Sequence, residues 1–145
     1  MRWLGMIDAA SDELVQQLDL LSIAARIENG RYDPVLREAD SLALARVAQP
    51  DATGEGAQVR VDRDAVERSL SSLVHAARRH GSAEVGLVVN GTSILLEPLP
   101  PEVAPIVLGD DLKDLGAAVA VRVVRALGGS VDFDGARLSV TLPRS

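Results

Sequence analysis

The stretch that most restricts the fold of this chain is Ala83 to Glu97, two β-rich runs joined by Asn90-Gly91. An Asn-Gly pair supplies the positive backbone angles of a tight type I′ turn, so flanking runs of this kind close into an antiparallel hairpin. On its N-terminal side stands an amphipathic pattern over Ala65–Arg79, with Val66, Leu70, Leu73, Val74 and Ala77 on one face and Gly81 as the stop. On its C-terminal side comes Pro98 to Pro105, a proline-rich run that the missing amide donors exclude from helix and central strand. The hairpin therefore lies inside a mixed α and β unit.

The next helix reads over Leu115–Leu127, opening on Gly116, with Val119, Ala120, Val123, Val124 and Leu127 at helical spacing and Arg122 and Arg125 on the wet side. It stops at Gly128-Gly129, and Ser130–Leu142 makes a second hairpin around Asp134-Gly135. Ile106–Asp114 is a connector. Before the first hairpin, Val59-Arg60-Val61 alternates as a strand, and Asp62 or Asp64 is placed to cap the long helix. Residues 50–57, with Pro50, Asp51, Thr53, Gly54 and Gly56, read as a loop.

At the N-terminus Leu4, Ile7, Leu14, Leu18, Leu21 and Ala25 fall on steps of three and four, interrupted at Ser11. A helix is expected over about 12–29, closed by Asn29-Gly30. Its stripe, Leu14, Leu18, Leu21 and Ala25 above all, is either a seam for another helix or the side on which the segment lies against its own domain. Trp3, the sole tryptophan, needs such a contact to be buried. The run after Gly30 has two readings. Either Asp33-Pro34 starts a helix reaching Ala48, or Val35–Arg37 is a short extended piece and Asp40 or Ser41 caps a helix over Leu42–Ala48.

Composition removes several functions. Aromatic residues are 2% of the chain and the formal net charge is −6, so stacking platforms and a basic phosphate-binding surface are both lacking, and no nucleic-acid partner is expected. Cysteine is absent and the two histidines, His75 and His80, lie five apart, which leaves neither disulfides, thiol chemistry nor a metal site to expect. With no leader-like opening and no apolar run near the ~20 residues of a membrane helix, a cytoplasmic protein without a membrane partner is expected.

The order strand, long helix, hairpin, irregular loop, glycine-started helix, hairpin resembles the ATP-binding catalytic domain of sensor histidine kinases, the Bergerat-type (GHKL) ATPase fold. Residues 59–70 are similar to the strand and helix that lead into that family's N box, and Leu115–Val131 to its second glycine box and closing glycine pair. Residues 12–44 resemble the second helix of the dimerisation hairpin and its exit, which makes Val35–Arg37 an edge strand. The resemblance implies an α+β fold, a two-layer α/β sandwich of this type at 33–145 preceded by a helical dimerisation-like segment at 1–32.

The family's functional positions are substituted here. With His80-Gly81 set at the end of the N box, Ser72 and Ala76 stand where two asparagines are expected, the second being the magnesium ligand, and alanine offers a hard cation no oxygen. Glu97 falls where the adenine-reading aspartate is expected, with Leu99 and Pro101 in place of its glycines. The lid is reduced to residues 102–114, carrying Asp110, Asp111 and Asp114. Gly116 remains from the second glycine box, followed by Ala117 and Ala118, and no phosphoacceptor histidine precedes His75.

The resemblance thus implies a vestigial kinase-like domain of two-component signalling, a pseudokinase in which Ser72, Ala76, Glu97 and Gly116 mark a lost nucleotide site. It implies no catalytic residue and no cofactor. Its partners would be a second copy through the N-terminal helix and a response regulator or kinase. The alternatives are a histidine kinase or ATPase fragment that still binds ATP and magnesium, and a histidine phosphotransfer adaptor with a vestigial ATPase-like domain. The apolar run from Leu96 to Leu108 is expected to plug the vacated pocket, with an interface as its other use.

Overall fold

The structure, a computed structural model, describes residues 20–145. Helix α1 covers 20–28 of these and ends in a turn in which Gly30 takes a φ of +67°, the left-handed conformation that glycine adopts without strain. Leu14, Leu18 and Trp3 lie outside the described residues.

Strand β1 (Arg37–Asp40) leads into α2 (Ser41–Ala48), whose first turn is capped by the Asp40 carboxylate accepting from the Leu42 amide at 3.1 Å. The second reading of this region holds, with the strand shifted from 35–37 to 37–40. Its position is set by antiparallel pairing of Arg37 to Val61 and Asp40 to Gln58 with β3 (Gln58–Val61).

Between them, residues 50–57 are not only loop. Thr53–Gly56 forms β2, parallel to β4 (Gly86–Gly91) at the edge of the main sheet. In Thr-Gly-Glu-Gly only the threonine favours a strand, and the pairing depends on glycine. Gly54 has a φ of +117°, and a Cβ there would run into the Val89 carbonyl.

The long helix α3 spans Arg63–His80 and is capped by Asp62, which accepts from the Ala65 amide. β4 and β5 (Ser93–Glu97) form the expected hairpin. The proline-rich run departs from expectation, since Pro101–Val103 is a 3₁₀ turn and Ala104–Val107 a short helix, α4. Pro101 and Pro105 fall in first turns, where no amide is needed and the ring's fixed φ suits the helix. Helix α5 (Leu115–Ala126) follows, then β6 (Ser130–Asp134) and β7 (Arg137–Thr141).

The main sheet has the order β2-β4-β5-β7-β6, antiparallel except at β2. Alternation divides its faces. Leu87 pairs with Leu96, Val89 with Ile94, Ile94 with Val140, and Leu96 with Leu138, and all of these are buried beneath α3 and α5. Gly86, Val88, Ser93, Leu95, Glu97, Ser139 and Thr141 occupy the opposite face. The result is the expected two-layer α+β sandwich.

The glycine pair closing α5 does two jobs. Gly128 takes a φ of +91°, and a Cβ on Gly129 would come 2.6 Å from the Thr141 carbonyl oxygen and 2.9 Å from Val124 Cγ1, so the missing side chain lets helix and sheet meet.

Candidate functional site

The site to test lies where the start of α5, the end of α3 and the segment 98–114 converge. Helix α5 begins not on glycine but on Asp114. This residue is only 7% exposed, and its Oδ1 accepts from the Ala117 amide at 3.1 Å while its Oδ2 lies 3.2 Å from His80 Nε2. Ala117 is fully buried, so its amide has no access to water and needs this acceptor. The carboxylate also sits at the positive end of the helix dipole, a second reason for an acid there. A histidine from the last turn of α3 thus ties the two main helices together through the cap.

The segment ahead of α5 fills the space between the helices. Leu99, Val103 and Val107 belong to the buried core, and the Leu99 amide donates to the Ala136 carbonyl at 2.7 Å. A Cβ built on Gly81 would meet Leu99 Cδ2 at 3.0 Å and Pro100 Cδ at 3.4 Å, which places this segment against the end of α3. Beyond α4 the amides of Asp110 and Asp111 both donate to the Pro105 carbonyl, so the start of the loop is tied to the turn it leaves. Within the run 96–108, Leu96, Leu99, Val103, Ile106 and Val107 are buried, whereas Pro98, Pro101, Glu102 and Pro105 are exposed.

The positions matched to the family do not meet at one place. Ser72 and Ala76 lie one turn apart on α3, Ser72 half-buried and Ala76 fully buried. Glu97 is on the far side of the sheet. It pairs in register with Gly86, and its Oε2 lies 3.2 Å from Arg137 Nε at the rim of an open cavity with Glu84, Val88 and Asp134. The inward position beside it is Leu96, fully buried. Gly116 is buried and, with Leu21, Leu115 and Val119, lines a cavity of about 20 Å³ where α1 crosses α5. Ala24, which is buried, also lies at this contact, and Glu28 and Arg122 form an ion pair across it. Of the seam residues that the structure describes, Leu21 and Ala25 are turned outward.

Solved structures share this fold. The histidine kinase AdeS of Acinetobacter baumannii superposes with a TM-score of 0.69 at 19% identity, over 98% of this chain and 82% of that one. The chain has the histidine kinase ATPase fold. The cytoplasmic segment of the histidine kinase QseC gives a TM-score of 0.65 at 11% identity, over 90% of each chain. The ATP-binding domain of PrrB from Mycobacterium tuberculosis gives 0.58 at 18% identity, over 77% of this chain and 98% of that one. No family model matches the sequence, and no curated protein does.

Magnesium and a nucleotide are the groups this fold implies, and the residues at the matched positions do not fit them. Ala76 offers no oxygen to a cation. The first-turn donor of Ala117 is already taken by a carboxylate that would repel phosphate, and Glu97, the acid that the resemblance matches to the adenine-reading residue, lies on the outer face of the sheet beside Arg137. Among the described residues no group of three or more His, Cys, Asp and Glu could hold a metal ion, and no helix is long and apolar enough to cross a membrane.

The sequence contained half of the Asp114–His80 pair. An acid directly ahead of a helical pattern is a cap signal, and the glycine two residues on is a competing start signal. His80, 34 residues away, gave no local sign of its partner.

Proposed function

We propose that this chain is a histidine-kinase-like signalling protein that works through protein contacts, with the nucleotide site of its fold converted into internal packing. The observation that carries this reading is the Asp114–His80 cap. It places an anion of the chain's own at the helix start where this fold would receive phosphate. The buried Leu99, Val103 and Val107 support it, because a nucleotide would have to displace a packed segment. The outward-facing Leu21 and Ala25 fit a role in contacting another protein or a second copy.

Calorimetric titration of the chain with ATP in the presence of magnesium tests this directly. No saturable heat is expected at millimolar nucleotide. Stoichiometric binding would overturn the proposal and favour a fragment that retains ATP.

A further inference from the structure

Helix α1 meets the domain beside a groove of about 440 Å³ that runs between α1, α5 and the loop after α4. Leu21, Leu112 and Leu115 line it, with 37%, 70% and 52% of their surfaces exposed. They are half of the large exposed hydrophobic residues among those described. Single exposed aliphatic side chains are ordinary on a protein surface, but a cluster of them marks a contact.

The connectivity of the chain names the occupant. Leu20 is fully buried and Leu21 stands on the groove wall, so the residues ahead of them, 1–19, are delivered to its mouth. These contain a compact apolar group, Trp3, Leu4, Met6 and Ile7, that includes the sole tryptophan. Between that group and Leu20 stands Ser11-Asp12-Glu13, a helix-start signature at which a chain changes direction. From Asp12 to Leu21 a helix would rise about 14 Å. From Trp3 to Ser11 an extended chain reaches roughly 30 Å, enough to return the apolar group to Leu21. Charge agrees with this occupant. Residues 1–19 carry Asp8, Asp12, Glu13 and Asp19 against Arg2, whereas the groove carries Arg122 and Arg125 against Asp110.

We infer that residues 3–10 fold back and occupy this groove within one chain, Trp3 and Ile7 packing on Leu112 and Leu115, so that the outward side of α1 at Leu21 is closed to a partner until the segment leaves. The closing of Leu21 rests on the reading of the chain as a protein-contact module. Occupancy of the groove does not.

Fluorescence of the full chain tests it, because Trp3 is its sole tryptophan. In the folded wild type the emission should be blue-shifted, and acrylamide quenching reduced, relative to the same chain in urea, at every concentration across the micromolar range. Leu112→Asp combined with Leu115→Asp should move the emission to its unfolded position. The urea midpoint followed by circular dichroism should change little, since both side chains are already at least half-exposed. A cross-link gives the location. The chain has no cysteine, so Ile7→Cys paired with Leu112→Cys should close a disulfide within one chain on mild oxidation. It should do so at least about tenfold faster than Ile7→Cys paired with Val47→Cys, an exposed position on α2, because a docked segment holds its thiol at a higher effective concentration. Solvent-like emission from the folded wild type, emission indifferent to the two aspartates, equal cross-linking to positions 112 and 47, or cross-links formed only between chains would each overturn the inference. ATP binding by a chain whose Trp3 is covered would instead defeat the preceding proposal and leave the occupancy standing.

Discussion

Replacing Asp114 by alanine removes two interactions at once, and the structure sets their sizes. The first is the cap on α5. Loss of an aspartate cap costs about 0.5–2 kcal/mol, and the upper end applies here because the Ala117 amide left behind is fully buried. The second is the contact with His80, at 3.2 Å and largely shielded by α3 and α5, whose net contribution is about 1 kcal/mol. Together they give a loss of about 3 kcal/mol. For a domain of this size that lowers the melting temperature by roughly 6–12 °C. The assay is urea unfolding at neutral pH of the wild type, Asp114→Ala, His80→Ala and the double variant. Because the two residues touch, the double variant should be more stable than additivity predicts, by about 0.5–1.5 kcal/mol. Asp114→Asn keeps an oxygen for the amide and should recover most of the cap. A loss below about 0.5 kcal/mol for Asp114→Ala, or strict additivity with His80→Ala, would refute the claim that this pair holds the two helices together.

Two further outcomes follow from buried groups elsewhere. Leu99→Ala should cost about 2–5 kcal/mol in the same urea assay, the range for deleting a core leucine, whereas a loose plug would give under 1 kcal/mol. Tyr32 is the only tyrosine, and burial together with the nearby Asp62 carboxylate pushes its phenol up to about 12, so absorbance titration of tyrosinate should show one late inflection. A folded-state value above the unfolded one means that the stabilisation is complete below about pH 10 and is lost as the pH rises toward 12. Tyr32→Phe should remove that part of the alkaline destabilisation, and an inflection near pH 10 in the folded protein would count against the Tyr32–Asp62 contact.

Much of the fold was legible because its signals are local. Asn90-Gly91 dictates a turn, the apolar face of α3 follows from a 3.6-residue period, and Gly128-Gly129 stops α5 before β6. Those three signals fix much of the order of elements that resembles the kinase ATPase domain. What escaped was whatever depends on a neighbour distant in sequence. β2, with only Thr53 favouring a strand, exists because β4 offers it an edge and Gly54 removes a clash with Val89. α4 forms in a proline-rich run because its prolines occupy first turns, a placement that no count of prolines reveals.

The candidate site divides along the same line. The sequence by itself determined which side chains stand at the positions the resemblance singles out, Ala76 without a side-chain oxygen and Leu99 and Pro101 rather than glycines. Only the tertiary structure decided where those side chains go. A strand's alternation is fixed by which face is buried, so Glu97 goes to the outer side of the sheet and Leu96 to the inner, a one-residue distinction that composition does not contain. Asp114 finds His80 because α3 and α5 pack side by side, and a buried amide at the start of α5 then makes the carboxylate necessary.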